Sequence, residues 1–74
     1  MSKTILNIGS VTYAMKARKI LLRAKIACEI VKINAFGGKS GCSYGIKIRS
    51  EKIYDVAMEL KNNEIQYEFY SKAD

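Results

Sequence analysis

A cysteine set among glycines is the feature of this sequence best suited to chemistry. Cys42 lies in the run Gly37-Gly38-Lys39-Ser40-Gly41-Cys42-Ser43-Tyr44-Gly45, whose composition reads as an exposed, flexible loop. The thiolate is the reactive form of cysteine, and helix N-termini and nearby cations favour it. Lys39 would supply a cation. Gly41 and the other glycines let backbone N–H groups come close to an anionic sulfur. The plainer alternative is an ordinary loop cysteine. The second cysteine, Cys28, sits between Ala27 and Glu29 at the start of a β-prone run. It reads as a small buried hydrophobe, with a resolving thiol for Cys42 as the sharper alternative.

Other chemistries are poorly served. The 74 residues include no histidine, so the commonest general base and transition-metal ligand is missing. Two cysteines are too few for a disulfide scaffold or a structural zinc site. No carboxylate pair accompanies a nucleophile, and no metal site or bound cofactor is expected. The glycine run is not a phosphate-binding P-loop, because Lys39-Ser40 leads into a strand and not into a helix. The net charge of +6 favours acidic partners, and Lys16, Lys19 and Arg23 form a basic row on a predicted helix. That row could track phosphates or simply be a solvated face. The aromatic stacking signature of an RNA-binding sheet is missing, so no sequence-specific nucleic-acid binding is expected.

The elements that must position Cys42 follow from periodicity. Thr4 to Ile8 is a short β-prone run broken by Gly9 and Ser10. Ser10 or Thr12 can cap a helix, since a hydroxyl oxygen accepts a free N–H of the first turn. Ala14, Ala17, Leu21 and Ala24 recur at helical spacing, with Ile20 widening the stripe, and Ile26 closes the segment. Cys28 to Ile33 is rich in β-branched residues and predicts a second strand. Asn34 to Ser43 is a loop. Tyr44, Ile46 and Ile48 alternate with polar or small residues in a third strand. Ser50 is a candidate cap for a second helix, whose apolar face is Ile53, Val56, Ala57 and Leu60, and Asn62-Asn63 ends it. Ile65, Tyr67 and Phe69 alternate in a last strand.

The order strand, helix, strand, strand, helix, strand predicts one domain over residues 1–74. It is an α+β fold of the ferredoxin-like βαββαβ type, with a four-stranded antiparallel sheet and two helices on one face. Right-handed crossovers set the first strand beside the third. Cys42 is then expected near Gly9, Ser10 and the first turn of the first helix. No apolar run approaches the roughly 18 residues of a membrane span, and no signal peptide is read at the start, so the cytoplasm is the expected compartment. The two edges of such a sheet also leave a homodimer open.

Gly9-Ser10-Val11-Thr12-Tyr13-Ala14, then Lys16-Ala17, then Gly41-Cys42-Ser43-Tyr44-Gly45-Ile46 resemble a family of small bacterial domains described as selenium/sulfur carrier-like. The resemblance runs from about Thr4 to Tyr70. The family's cysteine maps onto Cys42 and its helix-start residues onto Ser10 and Thr12. This chain departs from the family pattern in having no proline before the cysteine and Ser43, not glycine, directly after it. The resemblance implies a carrier or accessory protein more than a turnover enzyme. Sulfur or selenium would be held on Cys42, with Ser10, Thr12, Lys39 and Gly41 around it and a donor and an acceptor protein as partners. Two readings of other kinds stand beside it: a non-catalytic interaction module using the basic helix, and a small-molecule-sensing domain.

Overall fold

The computed structural model describes residues 2–34 and 42–73. Its elements run β1 (Lys3–Gly9), α1 (Val11–Arg23), β2 (Cys28–Asn34), β3 (Cys42–Arg49), α2 (Ile53–Asn62) and β4 (Glu68–Ala73), with a single 3₁₀ turn, Ser50–Lys52, leading into α2. The strands form one antiparallel sheet in the order β2-β3-β1-β4. This is the expected α+β fold, with β1 beside β3.

Alternation along the central strands sends Leu6 of β1 and Ile46 and Ile48 of β3 to the face that carries the helices. There they join Ala17 and Leu21 of α1 and Val56 and Leu60 of α2 in one core. Ala14 and Ala17 have no exposed surface. Their small side chains let α1 lie close on the sheet, as their spacing predicted. Burying a residue such as Leu21 or Leu60 contributes roughly 1.5–3 kcal/mol.

Both helices end in the same way. After α1, the Lys25 N–H donates to Leu22 O and the Ile26 N–H to Leu21 O. After α2, the Glu64 N–H donates to Lys61 O and the Ile65 N–H to Leu60 O. These are paired Schellman closures, with Lys25 and Glu64 at positive φ (63° and 58°) where glycine is usual. Each closure tucks an isoleucine, Ile26 or Ile65, into the core.

Four expectations need correction. Ala24 is the exposed C-cap of α1, not part of its buried stripe. Ser50 does not cap α2: its Oγ lies 2.7 Å from Thr4 Oγ1, and α2 starts three residues later without a side-chain cap. Thr4 is buried, so its hydroxyl needs a partner and takes Ser50. Ile65 precedes the last strand, because the Glu64 turn commits it to closing α2; β4 starts at Glu68 and runs on to Ala73. The connection between β2 and β3 is shorter than predicted, since ladder pairs continue to Asn34↔Cys42.

Candidate functional site

The site is built where β1 leaves the sheet. Asn7 pairs with Gly45, but the next pair is Gly9↔Tyr44, so Ile8 and Gly9 together oppose one residue. This bulge bends the strand end. Gly9 has φ +105°, a conformation that side chains rarely adopt, and it turns the chain into α1.

Ser10 is the N-cap. Its backbone is extended and its Oγ accepts the Tyr13 N–H at 3.1 Å, which settles the choice between Ser10 and Thr12. Thr12 is the second residue of the helix and is exposed. The N–H groups of Val11 and Thr12 have no intrahelical acceptor by geometry. No acidic residue lies in the first turn, so no side chain of that turn offsets the positive end of the helix.

Cys42 is the first residue of β3. It stands two residues outward from Tyr44, the partner of Gly9. One strand spacing sideways and two residues along place its Cα about 8 Å from that of Gly9. The topology therefore brings Cys42, Gly9 and the Ser10-capped turn to one end of the sheet. Lys39 and Gly41 lie outside the described residues.

Cys28 is at the far end of the same hairpin, opposite Ile48. It is half-buried and packs on the core. Burial pushes its thiol up from the ordinary value, and the Arg18 guanidinium opposes this. Its Sγ–H points at the Arg18 carbonyl oxygen at 3.9 Å. Burial and the contact with that carbonyl oxygen both favour the neutral thiol.

A cleft of about 480 Å³ opens at the β1 exit, between Asn7, Ile8 and Gly9 on one side and Lys61, Ile65, Gln66, Tyr67 and Glu68 on the other. Asn7 Oδ1 is buried without a hydrogen-bond donor among the described residues, a state that costs about 1–3 kcal/mol. No sequence motif marks this cleft, because α2, its closing turn and the start of β4 meet β1 only on folding. Among the described residues no cluster of three or more potential metal ligands occurs. No described helix is long and apolar enough to cross a membrane.

With a cysteine-bearing strand start beside a capped helix N-terminus in place, the comparison with known families is decisive. The chain belongs to the family described as Putative Se/S carrier protein-like. The match covers residues 3–71 of 74. No curated protein and no solved structure matches the chain. The Se/S carrier-like match thus runs from β1 into β4 and includes Ser10, Thr12 and Cys42, the three positions that the sequence resemblance singled out.

Proposed function

We propose that this Se/S carrier-like protein holds sulfur or selenium on Cys42 and passes it between a donor and an acceptor protein. The observation that carries the reading is the register Gly9↔Tyr44, which sets the start of β3 beside the Ser10-capped turn. Free N–H groups and the helix dipole at that turn favour negative charge nearby. They would stabilise the Cys42 thiolate and then the terminal anion of a loaded persulfide.

Loading is redox-neutral. The Cys42 thiolate attacks the outer sulfur of a donor persulfide, R–S–SH. A Cys42 S–S bond forms, the donor S–S bond breaks and R–S⁻ leaves, as in thiol–disulfide exchange. A selenium donor, R–S–SeH, follows the same course. Ser10 and Thr12, with Lys39 and Gly41 of the preceding segment, would surround the loaded atom. The protein would act as a cytoplasmic accessory protein and not turn over a substrate alone.

The direct test is intact-mass analysis after incubation with a persulfide donor. The wild-type protein should gain the mass of one sulfur, lost on treatment with reductant, and Cys42→Ser should gain none. A Cys42→Ser protein that loads as well as wild type would refute the reading.

The partner contact has its own support. The chain has no acidic residue before Glu29, and Lys16, Arg18, Lys19 and Arg23 of α1 are all exposed. The same helix exposes Val11, Met15 and Leu22, apolar surface that a phosphate backbone would not use. An acidic protein surface with apolar character fits this helix better than a nucleic acid. Lys19→Glu with Arg23→Glu should slow loading from a protein donor but not from a small-molecule persulfide; equal rates from both would remove α1 from the contact.

A further inference from the structure

We propose that the free edge of β2 and the outer row of α1 form a docking groove for an extended, acidic segment of a partner protein, which joins the sheet as a fifth strand. This groove rests on the α1 contact proposed above and adds the partner's conformation and the strand it pairs with.

Contacts on both flanks of α1 place the groove. Val11, Met15, Arg18 and Leu22 follow at steps of four, three and four, so they form one row along the helix. Within that row Arg18 meets β2: its carbonyl oxygen lies 3.9 Å from Cys28 Sγ. Tyr13, on the other flank, lines a hollow with Glu64 and Gln66, on the side of α2 and its closing turn. The row therefore borders β2, the outermost strand in the order β2-β3-β1-β4. Val11, Met15 and Leu22 are exposed along it. The helix runs back along the strand. Arg18 stands at Cys28, and α1 starts just after Gly9, which is level with Tyr44 and hence with Lys32. Cys28, Ile30 and Lys32 pair with Ile48, Ile46 and Tyr44, so their side chains share the face that carries α1.

The edge suits a further strand. β2 pairs with β3 at seven consecutive positions without a shift. Among the described residues it makes no backbone hydrogen bond on its other side. The other edge strand, β4, has a register shift against β1, which disrupts its ladder. A regular free edge is a template for an added strand, held by main-chain hydrogen bonds.

Charge selects the occupant. Arg18 and Lys19 of α1 and Lys32 of β2 are exposed. The acidic residue of β2, Glu29, pairs with Lys47 on the opposite face. A second copy of this chain, with its net charge of +6, would bring like charges together in the groove. A nucleic acid could meet the cations but offers no backbone ladder to the edge and no partner for the apolar row. An extended segment with acidic and apolar side chains satisfies edge, row and charge together. The groove also leads to Cys42. β2 ends at Asn34, the partner of Cys42. A strand docked outside β2 would lie two strand spacings from β3, about 10 Å, and its end at the Asn34 level would arrive beside Cys42.

The test is an amide-shift titration of the ¹⁵N-labelled protein with a capped eight-residue peptide of alternating valine and glutamate. The controls are the same peptide with every amide N-methylated, a valine–lysine peptide and a short single-stranded DNA. The acidic peptide should give saturable shifts along residues 29–33 and at Met15 and Leu22, and the controls should not. Met15→Glu with Leu22→Glu should weaken the binding about ten-fold or more, because two apolar contacts become charges that repel the peptide. Both positions are exposed, and a thermal melt checks that the variant folds. Absent shifts, shifts confined to α1 or falling on β4, equal binding of any control, or undiminished binding by the folded variant would overturn the proposal. So would a dimer in sedimentation whose concentration-dependent shifts fall on β2, since a second copy would then fill the groove. Shifts confined to α1 would leave the helix contact standing and remove the strand. A protein that loads Cys42 but binds no peptide would keep the carrier reading and lose the groove. Peptide binding by a protein that takes up no sulfur or selenium mass would do the reverse.

Discussion

Cys28 and Cys42 stand at opposite ends of the β2–β3 hairpin. Cys28 is opposite Ile48 and Cys42 is opposite Asn34. Six residues of extended strand separate the two levels, which puts the Cα atoms about 20 Å apart. A disulfide needs Cα atoms within roughly 7 Å. The resolving-thiol alternative for Cys28 is thereby ruled out within one chain. Oxidation of the native protein by a mild disulfide-forming reagent is expected to yield disulfide-linked dimers, or adducts, and no intrachain bond. Non-reducing electrophoresis with intact-mass measurement checks this; a monomer lighter by two hydrogens would contradict the hairpin register.

Cys28 should be the slower thiol. Desolvation raises its pKa and the Arg18 charge only partly offsets this. Alkylation by iodoacetamide should therefore begin at higher pH than for a free cysteine, whose pKa is about 8.5. The same shift has a sign for stability. The folded state keeps the proton longer than the unfolded chain, so this contribution is complete below the unfolded pKa. It is lost as pH rises through the folded value. Urea melts of wild type and Cys28→Ala from neutral to alkaline pH should show the wild type alone carrying this decline. A decline equal in both proteins would remove Cys28 as its source.

Ser10→Ala removes the acceptor for the Tyr13 N–H and should lower stability by about 1 kcal/mol. The protein should still fold, and Cys42 should then alkylate more slowly at neutral pH because the turn beside it is less ordered. Thr12→Ala, which removes an exposed hydroxyl with no hydrogen bond among the described residues, should have the smaller effect on stability. If Ser10→Ala is folded and labels at the wild-type rate, the turn does not act on Cys42.

Glycine and non-glycine positions should respond in opposite directions. Lys25 and Glu64 hold positive φ, which costs a residue with a side chain roughly 1–2 kcal/mol. Glycine there gives back part of the gain through unfolded-state entropy, so Lys25→Gly and Glu64→Gly should each raise stability by up to about 1 kcal/mol. Gly45→Ala should lower it by about 1–3 kcal/mol. A Cβ on Gly45 would press on the Leu6 carbonyl oxygen and come within 2.8 Å of Ile33 Cδ1. Chemical denaturation of the three variants reads all of this, and a neutral Gly45→Ala would mean that β1 and β3 can separate at that point.

What the sequence determined by itself was local and periodic. The spacing of Ala14, Ala17 and Leu21 placed the buried face of α1. The alternation around Ile46 and Ile48 placed β3. Chain order with right-handed crossovers set β1 beside β3, and so put Cys42 at the Gly9–Ser10 end. Each of these rests on a repeat of two or 3.6 residues, or on chain connectivity, which one-dimensional reading captures. The remainder depended on groups distant in the chain finding each other. Ser50 looked like a cap, but Thr4, 46 residues away, takes its hydroxyl. Ile65 looked like the start of a strand, but closing α2 buries it in the core. The separation of the two cysteines followed from the hairpin register. The groove beside β2 exists only because the hairpin register and the Arg18 contact set that edge strand along α1. A charge or an amide carries no mark of its future neighbour, so only the tertiary structure could decide these.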